Sequence, residues 1–165
     1  MSSGEVLRLL TADDAARVWE WRNDPMARQY APNSGAIPWE AHRRWFTELL
    51  VDPARGGWIV ESSGEPVAFV RVDTENDVGI IEVIVAPHAR RQGFGTRGLQ
   101  LVARDASRLW DLREVHAHIR PDNTYAELAA QHAGFTLGGL VLYRGVKALQ
   151  YIWRPDPKGR VARLD

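Results

Sequence analysis

The segment Val78-Gly-Ile-Ile-Glu-Val-Ile-Val-Ala-Pro-His-Ala-Arg-Arg-Gln-Gly-Phe-Gly-Thr96 constrains the fold of this chain more than any other. Its first half is a strand-length apolar run from Val78 to Ala86, interrupted only by Glu82. Near-continuous apolar character of this kind predicts a strand covered on both faces. A short loop follows. Gly93 and Gly95 then open a helix that Leu99, Val102 and Leu109, spaced for one inward face, carry to about residue 109. A strand that feeds a glycine-started helix leaves main-chain N–H groups open at the helix start, where the helix dipole favours an anion. Without a Cβ at Gly93 and Gly95 the backbone can approach that anion closely. Arg90 and Arg91 add charge suited to phosphate.

The rest of the chain alternates between two periods. Val6 to Leu10 is a short apolar strand, and Thr11 is the expected cap of a helix over 12–22, with Ala16, Val18 and Trp19 inward. The polar stretch from Asn23 to Pro38 is too long for a turn. It is expected to be a binding loop in which Asn23, Asp24, Asn33 and Ser34 shape a pocket. Pro38 opens a second helix to about Val51, with Trp39, His42, Trp45, Phe46 and Leu49 at core spacing, ended by Pro53 and Gly56-Gly57. Strands are expected at 58–60 and 67–72 around a Ser63-Gly64 turn, at 78–85 and at 115–119. A helix over 123–133 ends at Gly134, and strands at 140–143 and 149–153 close the chain around Gly145. This order predicts a mixed α/β fold built on one central sheet. Its 165 residues suit a single domain over 1–155, followed by a polar, disordered tail over 156–165.

Composition removes several function classes. With 21 Lys+Arg against 21 Asp+Glu the net charge is zero, so no nucleic-acid partner is expected. The absence of cysteine excludes disulfides, thiolate metal sites and a cysteine nucleophile. No apolar run approaches the roughly 20 residues that span a bilayer, and the first residues lack the apolar core of a signal peptide. A cytoplasmic protein without a membrane partner is the expectation.

Gly93-Phe-Gly95-Thr-Arg-Gly98 also spells the dinucleotide fingerprint, with Glu114 further on. That reading fails on context. Ala86 to Gln92 separate the strand from the first glycine, and Glu114 precedes the next strand instead of ending it. Two titratable positions stand out. Glu82 is a carboxylate inside an apolar strand, either a structural ion pair or a site group. His116 and His118 share one face of a strand, either as hydrogen-bonded imidazoles or, for His118, as a base. No carboxylate or cysteine set completes a metal site, so no metal is expected.

Arg90-Arg-Gln-Gly93-Phe-Gly95 resembles the Gln/Arg-x-x-Gly-x-Gly/Ala signature of the GCN5-related N-acetyltransferases. The likeness continues through Asn123-Thr to Ala133-Gly134-Phe135. Trp21-Arg-Asn-Asp24 and Ile37-Pro-Trp39-Glu-x-His42-x-x-Trp45-Phe46 are similar to the ribosomal-protein N-acetyltransferase branch and its amino-sugar relatives. The resemblance implies a mixed, mostly antiparallel twisted sheet flanked by helices, and acetyl transfer from acetyl-coenzyme A to a primary amine. It implies that the backbone of Val83, Ile84 and Val85 pairs with the pantetheine arm and polarises the thioester. Arg90, Arg91, Gln92, Gly93, Phe94, Gly95 and Thr96 would hold the pyrophosphate, and Asn123 would contact the pantetheine. His118 stands at the strand position where the ribosomal enzymes carry a carboxylate base, and Glu82 is the alternative base. The family's tyrosine acid is replaced here by Ala130, with Tyr125 one turn earlier.

Without cysteine, direct transfer in a ternary complex is expected. The acceptor is a small amine such as a nucleotide-linked amino sugar, which the tryptophan-bearing helix and neutral charge favour. Alternatives are a protein N-terminus or a non-catalytic acyl-coenzyme A-binding module. The resemblance also allows a homodimer.

Overall fold

The structure, a computed structural model, describes residues 4–157. The strands are β1 (Glu5–Leu9), β2 (Arg55–Ser62), β3 (Glu65–Glu75), β4 (Val78–Val85), β5 (Glu114–Ile119), β6 (Thr136–Tyr143) and β7 (Val146–Trp153). The helices are α1 (Ala15–Asn23), α2 (Pro25–Tyr30), α3 (Trp39–Val51), α4 (Phe94–Trp110) and α5 (Thr124–His132), with 3-10 turns at Ala12–Asp14 and Pro87–Ala89. One sheet runs in the order β1-β2-β3-β4-β5-β7-β6. Every pairing is antiparallel except β4 with β5. The expected mixed, mostly antiparallel sheet flanked by helices is therefore found, and a doubly wound dinucleotide fold is excluded by topology.

Strand pleating divides the sheet into two faces. Register places Trp58, Val60, Val70, Val72, Ile81 and Val83 on one face, where α4 lies. Gly98 makes that contact possible. A Cβ there would meet Val70 Cγ2 at 3.0 Å and the side chains of Val60 and Val83 at 3.5 Å, so only glycine lets α4 settle on the sheet. Leu99, Val102, Ala103 and Ala106 complete the buried stripe of α4. On the other face lie Phe69, Arg71, Asp73, Ile80, Glu82 and Ile84. Helices α1 and α3 cover part of it through Val18, Trp21, His42, Phe46 and Leu49.

Several expectations are corrected. Leu109, expected inward, is 63% exposed, and the buried stripe of α4 runs through Leu99, Val102, Ala103 and Ala106 instead. In α1 the inward residues are Val18 and Trp21, while Ala16 is exposed and Trp19 half-buried. The Asn23–Pro38 loop contains α2, whose start Asp24 caps by accepting from the N–H groups of Met26 and Ala27. Gly56-Gly57 lie inside β2 and do not end α3. The closing strands begin earlier than expected, at Thr136 and Val146. Coverage of β4 on both faces is also wrong, since only Gly79 and Ile81 are buried and Glu82 opens to water. Of the tail expected over 156–165, residues 158–165 lie outside the described residues. Among the described residues no helix is long and apolar enough to cross a membrane.

Candidate active site

The site begins where β4 and β5 part. Their parallel pairing covers only Val78–Ile80 against Glu114–His116. Beyond that point β4 stays paired to β3 as far as Val85, and β5 stays paired to β7 as far as Ile119. The facing edges over 81–85 and 117–119 thus carry main-chain groups without a strand partner, open to a ligand that can act as a short extra strand.

The start of α4 stands beside this opening. Gly93 caps it in the left-handed region (φ +83°), which a residue with a Cβ adopts at a cost, and the space a Cβ would occupy is empty. Among the described residues no side chain caps the helix, and its first main-chain bond runs from the Arg97 N–H to the Gly93 carbonyl. The N–H groups of Phe94, Gly95 and Thr96 therefore have no helical acceptor. Gly95 lies against Val85 and Ala129, and the Thr96 hydroxyl donates to the Ala129 carbonyl at 3.5 Å, so small residues bring α4 and α5 together at the mouth of the opening. The open strand edges, the donors at a helix start and the Cβ-free cradle at Gly93 fit an extended arm ending in a pyrophosphate.

The other proposed donor-site residues divide. Arg90 is not free for phosphate. It binds Asp24 at 2.5 Å, joining the cap of α2 to this loop. Arg91 (φ +63°) and Gln92 are exposed, and the Arg91 guanidinium lies 5.7 Å from the centre of the Tyr125 ring. Tyr125, 61% exposed, serves as that stacking surface. Asn123 caps α5 by accepting from the Ala126 N–H, which leaves its amide N–H₂ uncommitted among the described residues. Ala130 is the fully buried residue of α5.

Glu82 and His118 lie on the same sheet face, each one step past the last paired residues, Ile80 and His116. They flank the opening. Glu82 is crowded by protein yet its side chain is 49% exposed, which places it on the floor of an open depression. Burial pushes its carboxyl up, but the Arg71 guanidinium at 2.5 Å outweighs this and holds it below the usual carboxylate value. His118 is set deeper. Its ring stacks on Tyr143 (centroids 4.3 Å apart), Nε2 lies 3.2 Å from the Gln150 amide nitrogen, and Nδ1 is buried without a partner among the described residues. Burial, aided by His116, keeps His118 below its ordinary pKa and hence neutral at pH 7. His116 itself binds Glu114 at 2.6 Å. Of the two base candidates Glu82 is the more open, while His118 has one nitrogen buried and the other beside Gln150.

Sequence reasoning missed the residues around Glu82. Arg71 bridges Glu82 and Asp73, and Asp73 also receives Arg55. The Arg22 guanidinium lies 4.1 Å above the Trp45 ring and donates to His42 Nδ1 at 3.0 Å. That bond fixes His42 as the Nε2–H tautomer, which donates to the Ala15 carbonyl at 2.8 Å, and burial keeps its pKa low. The one available signal was Trp21-Arg-Asn-Asp24, which marks the segment without saying what Arg22 faces. Asn23, which lines a pocket with Trp19, Asp24 and His88, is also a fastener. It accepts from the Ile37 N–H at 2.8 Å and donates to the Ile37 and Trp19 carbonyls.

A family model described as an acetyltransferase (GNAT) domain matches residues 6–136. An aminoglycoside acetyltransferase, AAC(6')-Ib, solved with coenzyme A and kanamycin, is similar with a TM-score of 0.75 and 18% identity over 92% of this chain and 95% of that one. Spermidine N-acetyltransferase from Vibrio cholerae, solved with coenzyme A and spermine, gives 0.79 and 16% identity over 93% and 96%. A ribosomal α-N-protein acetyltransferase in complex with coenzyme A gives 0.79 and 17% identity over 93% and 95%. At these identities the likeness speaks to the fold. No curated protein sequence matches the chain.

Proposed function

The chain belongs to the GNAT acetyltransferase family, and on that premise we propose how its residues divide the work of an acetyl-coenzyme A-dependent N-acetyltransferase and which amine it takes. The observation that carries the reading is the parting of β4 from β5 beside the uncapped start of α4. Acetyl-coenzyme A supplies an acyl group activated by a thiol leaving group. The edges of Val83, Ile84 and Val85 and of Ala117 to Ile119 hold the pantetheine arm as an added strand. Phe94, Gly95 and Thr96 offer N–H groups to the pyrophosphate, Gly93 keeps the backbone close, and Arg91 adds charge from the rim. Asn123 offers its free amide to the arm. Main-chain donors preorganised at the β4 edge favour a carbonyl oxygen that gains negative charge.

Glu82 faces the acceptor's amine, which reacts in its neutral form: the nitrogen lone pair bonds to the acyl carbon, the C–S bond breaks to release the thiolate, and Glu82 takes the proton from the nitrogen that has become cationic. A carboxylate is a poor base for a free ammonium, but the nitrogen becomes strongly acidic once the new bond forms, so the transfer needs no raised pKa. His118, neutral and packed by Tyr143 and Gln150, positions the wall opposite Glu82. Ala130 cannot donate to the departing sulfur. A thiol with a pKa of about 8.5 leaves as thiolate without that help.

The acceptor proposed is a small molecule bearing a primary amine, such as a nucleotide-linked amino sugar. The half-exposed Glu82 carboxylate supports this, because it offers an open acid to one amine. An acyl-coenzyme A-binding module without turnover is the second reading, favoured by Ala130. Calorimetry with coenzyme A and a turnover assay with acetyl-coenzyme A separate them, using a UDP-amino-sugar and an N-terminal peptide as acceptors. Binding with turnover of the sugar is expected. Binding with no turnover of any amine supports the module, and no binding ends both.

A further inference from the structure

The depression around Glu82 carries more positive charge than its own carboxylates answer. Four guanidiniums reach it from four elements: Arg22 from α1, Arg55 from β2, Arg71 from β3 and Arg144 from the β6–β7 turn. Two carboxylates face them, Asp73 from β3 and Glu82 from β4. Both are already engaged by guanidiniums, Asp73 by Arg55 and Arg71 and Glu82 through one oxygen by Arg71. The other titratable neighbours, His42 and His118, are held neutral by burial.

Two cations are left unanswered, the exposed Arg144 on the turn and the half-buried Arg22 on α1. Among the described residues Arg22 forms no ion pair. Of its five N–H donors the structure commits those on one nitrogen to His42 Nδ1, while Trp45 covers one face of the guanidinium. A partly buried guanidinium ordinarily sits opposite an acid. Here the nearest acid belongs to Arg71, and Arg71 and Arg144 add further positive charge. Packing alone does not account for the arrangement, because an uncharged side chain would cover Trp45 without the cost of desolvating a cation.

We propose that Arg22, held flat on Trp45 beside Glu82, binds an anionic group on the acceptor, so that the enzyme selects amines carrying a phosphate or carboxylate over neutral and polycationic amines. The inference rests on the acetyltransferase reading of the same opening and specifies its acceptor. Glu82 takes the amine end, and Arg22 takes the anion with the fork geometry that suits phosphate and carboxylate oxygens. Polyamines and aminoglycosides would bring positive charge into a surplus of positive charge, which disfavours them.

The test uses the intact chain and matched acceptors that differ by one anion: glucosamine 1-phosphate against glucosamine, and alanine against alanine amide, with spermidine as the cationic control. Wild type is expected to favour the anionic member of one pair at least tenfold in kcat/KM. Which pair responds separates phosphate from carboxylate recognition. In Arg22→Gln that preference falls below threefold, mainly through KM, and Arg22→Lys restores part of it. Equal rates on both members of both pairs, a preference for spermidine, or a preference that survives Arg22→Gln would overturn the proposal. A merely structural Arg22 would lower the rates on both members alike. If no acceptor turns over, the same comparison is read as affinity by calorimetry with coenzyme A bound, where lack of discrimination again overturns it. Failure to bind coenzyme A would instead remove the acetyltransferase reading itself.

Discussion

The two halves of the opening between β4 and β5 are built from different materials. The donor half consists of backbone: open strand edges, the first N–H groups of α4, and two glycines that keep Cβ atoms away. The acceptor half consists of side chains, with Arg22, Trp45, Arg71, Glu82, His118, Tyr143 and Gln150 drawn from α1, α3 and five strands of the sheet. Backbone chemistry is the same whatever the side chains, so such a half can serve one invariant ligand. Side-chain chemistry changes with each substitution, so the other half is where acceptors are told apart.

The largest expected effect separates the halves by chemistry. Glu82→Gln keeps the shape of the depression but removes the proton acceptor, and kcat/KM should fall by about 100-fold, the lower end of what a positioned base contributes. Affinity for coenzyme A, measured by calorimetry, should stay within about twofold. His118→Ala should cost less, about fivefold, because one of its nitrogens is buried and the other lies beside Gln150. A larger loss in His118→Ala than in Glu82→Gln would reverse the roles assigned to them.

The converse experiment acts on the donor half. Gly93→Val places a branched side chain at φ +83°, in the open space beside the first turn of α4. Left-handed strain costs about 1–2 kcal/mol, and the added methyl groups occupy the approach of a pyrophosphate. Coenzyme A affinity should drop about tenfold. Unchanged affinity would show that the α4 start is not the anion site.

A smaller effect concerns pH. His42 and His118 have folded pKa values below the ordinary 6.5, so the unfolded chain binds more protons between those values and 6.5. Stability should therefore decline as pH falls from 7 to 5, visible as a lower urea midpoint. Glu82, Asp24 and Glu114, also held below their ordinary values by Arg71, Arg90 and His116 respectively, should extend the decline at more acid pH. A midpoint that rises on acidification would contradict the burial of the two imidazoles.

The same division explains what could be read from the sequence. Gly93 and Gly95 mark the donor half because a backbone requirement leaves a residue signature, and the Val78–Val85 run marks the strand that leads to it. The order β5-β7-β6 leaves no such mark. It sets Tyr143 and Gln150 against His118 and turns a candidate base into a packed wall. Arg71 falls within the strand expected over 67–72, and its role depends on register with Glu82. Arg22 depended on α1 crossing that face. Local periodicity reports which way a residue points along its own element, while the acceptor half is defined by what stands opposite.

The most direct test of the account follows main-chain amide signals of the ¹⁵N-labelled chain by NMR as coenzyme A is added. Saturable shifts, with slowed hydrogen exchange, are expected in two groups of amides, Val83 to Val85 at the open edge and Arg91 to Thr96 at the helix start. Shifts confined to other segments, with both groups unmoved at saturation, would contradict it.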